Sequence, residues 1–214
     1  VFTPLQVVLL TIWAMICYSD FRIFRLQFSR PLLSAIGTGL ILGDPTTGAI
    51  VGATMGLIWL GVVEVGGSLP PDAVLAGVAG SAIAISLGGT SEAVATTLAL
   101  ILPVSVLAAQ NWINVGYTFS IFMNHLGDKY AEKGDTRMMT IVHLGTIPIY
   151  ALICAWPTAL LLIVGPYAAN AFVEAIPTWL LNGIVVGSWS AIFVGLGILL
   201  SLSYSQSSCC LLYT

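Results

Sequence analysis

Charge is the scarcest commodity in this chain: six Lys and Arg and nine Asp and Glu make up 7% of its 214 residues. An average soluble domain carries roughly a quarter charged residues. With 58% hydrophobic residues and a mean hydropathy of +1.01, a soluble fold of this size would lack the polar groups to cover its surface. That excludes a soluble enzyme and a disordered chain, and six basic residues against a net charge of −3 exclude a nucleic-acid binder. Residues 1–19 hold no basic residue, so they do not read as a secretory signal. Cysteine is scarce too. Cys17, Cys154, Cys209 and Cys210 have no metal-ligand spacing, and Cys17 and Cys154 read as small buried hydrophobes. The solvent implied is the lipid bilayer.

The few charges cluster. Arg22, Arg25 and Arg30 stand near Asp20, and Asp128, Lys129, Glu132, Lys133, Asp135 and Arg137 form a second group. Basic clusters mark cytoplasmic loops, so both groups are expected on one face, with an even number of crossings between them. Residues 127–137 read as a polar turn, with Gly134 stopping one helix and Asp135 capping the next. Residues 20–30, rich in Phe and Arg, read as an interfacial arm in which Gln27 is the unexplained amide.

Crossing the hydrocarbon takes about 20 helical residues. The runs at 93–123, 138–165 and 178–202 meet that length, and 5–19 nearly does. Runs at 31–43, 48–63 and 73–86 are short, cut by Gly43-Asp44-Pro45 and by a stretch containing Gly66, Gly67, Pro70, Pro71 and Asp72. Such interruptions mark re-entrant hairpins, tolerated only where protein or a wet cavity satisfies the backbone. Residues 31–92 are therefore expected to line a pathway. Thirteen of the 22 glycines lie between 31 and 90, and Gly48, Gly52 and Gly56 place a bare stripe on one helix face. Gly183 and Gly187 repeat the spacing. Asp44 followed by Pro45 reads as an N-cap and first helical residue.

No nucleophile–base pair, phosphate-binding loop, zinc pattern or catalytic carboxylate pair is apparent, so no catalytic residue, metal or cofactor is expected. His125 and His143 read as interhelical hydrogen-bonding groups. What stands out is carboxylates at membrane depth, which must face a partner or a cavity. Asp72 opens an apolar helix after two prolines, as a cap, a ligand contact or both. Glu64 and Trp59 precede the Gly-Gly pair. Together with the Gln27 amide they suit a sugar: acids accept hydroxyl protons and the ring covers an apolar C–H face.

The strings Arg30-Pro31-Leu32, Leu42-Gly43-Asp44-Pro45-Thr46-Thr47-Gly48, Gly52-Ala53-Thr54-Met55-Gly56-Leu57-Ile58-Trp59-Leu60-Gly61 and Gly66-Gly67-Ser68-Leu69-Pro70-Pro71-Asp72 carry a resemblance. They resemble the membrane permease subunit IIC of the mannose/fructose/sorbose family of bacterial sugar phosphotransferase systems. His125-Leu126-Gly127-Asp128-Lys129, Ala175-Ile176-Pro177 and Asn182-Gly183 are similar to later family features. The resemblance covers about residues 4–202. It implies an all-α polytopic protein of the inner membrane, with transmembrane helices and short re-entrant hairpins. It also implies a IID membrane partner, trimers of IIC–IID pairs, and a core moving against a scaffold. A hexose would be carried inward and phosphorylated by a cytoplasmic IIB component supplied by IIA, with no phosphorylated residue in this chain. Gln27, Trp59, Glu64 and Asp72 are the expected sugar-binding residues. Asp44, Pro45, Gly48, Gly52, Gly56, Gly67, Pro70 and Pro71 are the expected structural ones. Two departures stand out. Gly56 occupies the position where the family usually has Glu, a role Glu64 would take over. Residues 1–202 read as the permease domain, with a later part of the family missing, and 203–214 as a divergent tail. An ion-coupled secondary transporter and a non-transporting membrane scaffold remain the rival readings.

Overall fold

Thr3 starts the first helix with a reciprocal cap. Its side chain accepts from the Gln6 backbone N–H, and its own N–H donates to Gln6 Oε1 at 2.9 Å. Pro4 then occupies the first turn, where no amide donor is needed. The computed structural model describes residues 2–23, 25–60 and 71–212, and every regular element among them is helical. Helix α1 spans Pro4–Arg22, α2 Pro31–Leu42, α3 Pro45–Trp59 and α4 Ala73–Ser86. α5 (Ser91–Asn111), a π-helical turn (Trp112–Gly116) and α6 (Tyr117–Glu132) follow without a break, and α7 (Thr136–Ala175) and α8 (Thr178–Leu212) complete the chain. The expected Glu64, Gly67 and Pro70 lie outside the described residues.

Helices α2 and α3 form the expected short hairpin. At 1.5 Å per residue they are about 18 and 22 Å long, less than the roughly 30 Å of hydrocarbon. Gly43 turns the chain with φ 86°, a left-handed conformation suited to glycine. Asp44 Oδ1 then accepts from the Thr47 N–H at 3.0 Å, with Pro45 opening α3 as expected. The glycine stripe explains how closely the two backbones approach. A Cβ on Gly48 would stand 2.6 Å from the Ala35 carbonyl oxygen, and one on Gly52 would stand 2.9 Å from that of Leu32. Gly56 does not belong to this packing face: a Cβ there would meet no described atom within 4 Å. Gly52 already faces Leu32, near the start of α2, so one turn further along α3 there is no α2 left to meet. Gly183 and Gly187 are equally open. Gly56→Ala is accordingly expected to hold or raise stability by about 0.5–1 kcal/mol, the ordinary helix gain, as read by thermal unfolding in detergent.

Helix α4 corrects the expectation that all of 31–92 walls a pathway. All eleven residues from Val74 to Ala84 are buried. A helix that is apolar all round lies either in a protein core or in lipid; this one is sheathed in protein and gives a face to each of three clusters. Leu75, Ala76, Ala79 and Ile83 meet Val51 and Met55 of α3 and Leu98 and Ile101 of α5. Val74 and Val78 meet Ala14, Cys17 and Tyr18 of α1 and Tyr150, Ala151 and Cys154 of α7. Ala82 meets Leu10 and Leu162. Cys17 and Cys154 thus pack as the apolar side chains expected.

Among the described residues three stretches are long and apolar enough to cross a membrane: Ser91–Glu132, Thr136–Ala175 and Thr178–Ser201. These correspond to the three long runs in the sequence. The turn between the first two is shorter than expected. The helix continues through Gly127 to Glu132, and only residues 133–135 turn, with Gly134 at φ 68° and Asp135 Oδ1 accepting from the Met138 N–H at 3.0 Å. Gly127 keeps a right-handed backbone, so nothing stops the helix there. α6 buries no residue, and the buried residues of α7 begin at Tyr150. Beyond Phe119, which still packs against the second cluster, the two therefore form an arm outside the bundle. α8 is joined to it by Ser188 Oγ, which donates to the Ala95 carbonyl of α5 at 2.9 Å. No break separates residues 202 and 203: α8 runs on to Leu212.

Candidate functional site

The N-terminus of α4 is where the polar groups of the bundle converge. Asp72 is 7% exposed and caps the helix, Oδ1 accepting from the Leu75 N–H at 2.9 Å. Its other oxygen accepts a 2.6 Å hydrogen bond from the Tyr18 hydroxyl of α1. Its own N–H donates to the Ser105 carbonyl of α5 at 2.9 Å. Thr158 of α7, fully buried, stands beside the Tyr18 phenol. Four helices thus meet around Asp72 and its Tyr18 partner, two of them at the carboxylate itself. A charge at this position is supported by the orphan N–H groups of the helix terminus and by a charge-assisted bond about twice as strong as a neutral one.

Trp59 reaches the same place from the end of α3. The residue is 5% exposed, packed in the cluster around Leu75 and Ala76, and its Nε1–H donates to the Pro71 carbonyl at 3.2 Å. It therefore ties the end of α3 to the residue before Asp72. Glu64 lies between these two anchors in the chain, outside the described residues.

Gln27 is placed differently. It lies exposed in the loop between α1 and α2, with φ 74°, a left-handed conformation unusual for a residue with a side chain. Its Oε1 accepts from Arg30 Nε–H at 3.0 Å, and its amide nitrogen donates to the Arg25 carbonyl at 3.4 Å. Among the described residues no hydrogen bond links it to Trp59 or Asp72. Tyr18 is the residue that sequence reasoning missed. A tyrosine near the end of an apolar run reads as an interfacial aromatic, and nothing local announces a partner 54 positions away.

This arrangement supplies a fixed carboxyl acceptor in an apolar shell, with a phenol and a backbone helix terminus steering it.

Comparison with known proteins gives this geometry its context. A family model described as "PTS system sorbose-specific iic component" matches residues 4–213. The mannose-specific EIIC component of Escherichia coli (strain K12) is 28% identical over 201 residues, covering 94% of this chain and 74% of that protein. The N-acetylgalactosamine permease IIC component 1 of the same organism is 33% identical over 185 residues, covering 86% and 68%. A cryo-EM structure of the mannose transporter ManYZ in complex with microcin E492 (MceA) contains a chain that superposes with a TM-score of 0.66 at 27% identity. That match covers 94% of this chain and 80% of the other. With three membrane-length helices and a family match over nearly its whole length, the chain belongs to the sorbose-type IIC components of the phosphotransferase system, membrane transport subunits of the mannose class rather than catalysts.

Proposed function

We propose that this chain binds a hexose of the mannose, fructose, sorbose or N-acetylgalactosamine class and carries it inward across a bacterial inner membrane that it spans several times. A IID subunit is its membrane partner, in a trimer of IIC–IID pairs. Cytoplasmic IIB phosphorylates the arriving sugar with groups passed from IIA. The observation that carries this reading is the buried Asp72 carboxylate at the head of α4, held by Tyr18 and flanked by Trp59 through Pro71. Each carboxylate oxygen has a second lone pair, so the cap and the Tyr18 bond leave acceptor capacity for sugar hydroxyls. Trp59 sets the wall behind that position. Glu64 adds a second acid in place of the one absent at Gly56, and Gln27 contributes from the adjoining loop.

Uptake of radiolabelled hexose by cells producing this chain is expected to require both IID and phosphorylated IIB, falling to background without either. Uptake that persists without phosphoryl donors, driven by membrane potential in vesicles, supports ion-coupled secondary transport instead.

A further inference from the structure

A second polar site lies at the opposite end of α1 from its cap, and the hexose reading does not use it. Between α1, the loop after it and α7 runs a cleft of about 370 Å³, walled by Ile12, Ile16, Leu26, Phe28 and Pro148, with Asp20 in its lining. Asp20 is 3% exposed. Its Oδ1 accepts from the Leu26 N–H at 2.7 Å, whereas Oδ2 is buried with no hydrogen-bond partner among the described residues. A carboxylate oxygen in an apolar cleft calls for a donor. The loop is shaped around this acid: the Arg25 N–H donates to the Asp20 carbonyl, and Arg25 and Gln27 both hold positive φ, 51° and 74°. Strained backbone maintained in this way is characteristic of binding sites.

The position narrows the ligand. α1 has 19 residues, about 28 Å, close to the roughly 30 Å thickness of the hydrocarbon, so Asp20 near its end stands at headgroup depth. The exposed Arg25 and Arg30 follow in the same loop. The matching molecule has an apolar tail for the cleft, an N–H-bearing cation for Asp20 Oδ2 and an anion for the arginines.

We propose that this cleft is a binding site for a phospholipid with a primary ammonium headgroup. The acyl chain lies along Ile12 and Ile16, the ammonium donates to Asp20 Oδ2, and the phosphate faces Arg25 and Arg30. Phosphatidylethanolamine has this chemistry. Phosphatidylcholine lacks the N–H donor, and phosphatidylglycerol lacks the cation.

The full chain, reconstituted into vesicles containing all three lipids and then extracted, is expected to retain phosphatidylethanolamine about tenfold over phosphatidylcholine by native mass spectrometry, the factor a charge-assisted hydrogen bond supplies. Asp20→Asn keeps the acceptor for the Leu26 N–H but presents an NH₂ group in place of the unpartnered oxygen, and should bring that preference close to one. Ile16→Trp, at a half-exposed wall position, should fill the cleft and lower retention of phosphatidylethanolamine whatever the fate of the Asp20 variant. Equal retention of the ethanolamine and choline lipids, a preference that survives in Asp20→Asn, or full retention in Ile16→Trp would each overturn the assignment; the last outcome would mean that something other than lipid covers this face.

Discussion

Asp72→Asn is expected to weaken hexose binding by about 10- to 100-fold while shifting unfolding stability by less than about 1 kcal/mol. The two effects separate because the carboxylate has two duties. Asparagine keeps an oxygen for the Leu75 N–H, so the cap survives, and its NH₂ group can donate to the Tyr18 oxygen in place of the present bond. What disappears is the negative charge, and hydrogen bonds to a charged group contribute roughly 1.5–3 kcal/mol. Asp72→Ala is expected to behave differently. It removes the cap, worth about 1 kcal/mol, and leaves a buried phenol without its acceptor, at about 1–3 kcal/mol. A fold weakened by roughly 2–4 kcal/mol should result, on the sum of those two terms. Sugar titration alongside thermal unfolding in detergent reads both. Equal affinity in wild type and Asp72→Asn would leave Asp72 as a helix cap and remove it from the sugar site.

The second large effect is expected at Gly77, where α4 passes α2. A Cβ on Gly77 would collide with Ser34 Oγ and stand 3.1 Å from the Pro31 carbonyl oxygen. Ser34 has no room to swing away, since it is fully buried and its hydroxyl is bonded back to the Arg30 and Pro31 carbonyls. Overpacking of this kind destabilises by about 1–3 kcal/mol, so Gly77→Ala should lower stability by that order and Gly77→Val by more. Ser34→Ala removes the colliding oxygen and exposes no new polar group, because the carbonyls it leaves remain in the first turns of α2. The double variant Ser34→Ala/Gly77→Ala should therefore recover part of the loss, and a double-mutant cycle measures the coupling. Additive losses in that cycle would show that the backbone, not the Ser34 side chain, sets the spacing.

How much of this was legible in the sequence depended on the range of the interaction. Caps were legible at Asp44, Asp72 and Asp135 because a cap is settled within three residues. The three long helices were legible because an apolar run of membrane length has few other uses. The surroundings of α4 were not. Lipid tails and Leu side chains are alike to an apolar helix, so composition cannot distinguish a helix facing lipid from one sheathed in protein. Gly56 shows the same limit: its spacing continues the stripe of Gly48 and Gly52, but how far the partner helix extends is written elsewhere in the chain. At the candidate site, Asp72 and Trp59 were found from their own residue types. Tyr18 was not, because only the fold brings α1 against the head of α4. The arm at 120–149 was half legible: its charges marked a turn, but helix propensity carried α6 five residues beyond Gly127, where a polar loop was expected.

The sheathing of α4 bears on how a guest can travel. Met55 presses on Gly80, Ile83 on Gly165 and Ser34 on Gly77, each near or inside the distance a methyl group would need. A rod gripped at so many points has no free direction in which to slide, and single-handed motion would strip several contacts at once. If the proposed transport moves α4, its neighbours are expected to travel with it as one carriage, with Asp72 riding at its prow.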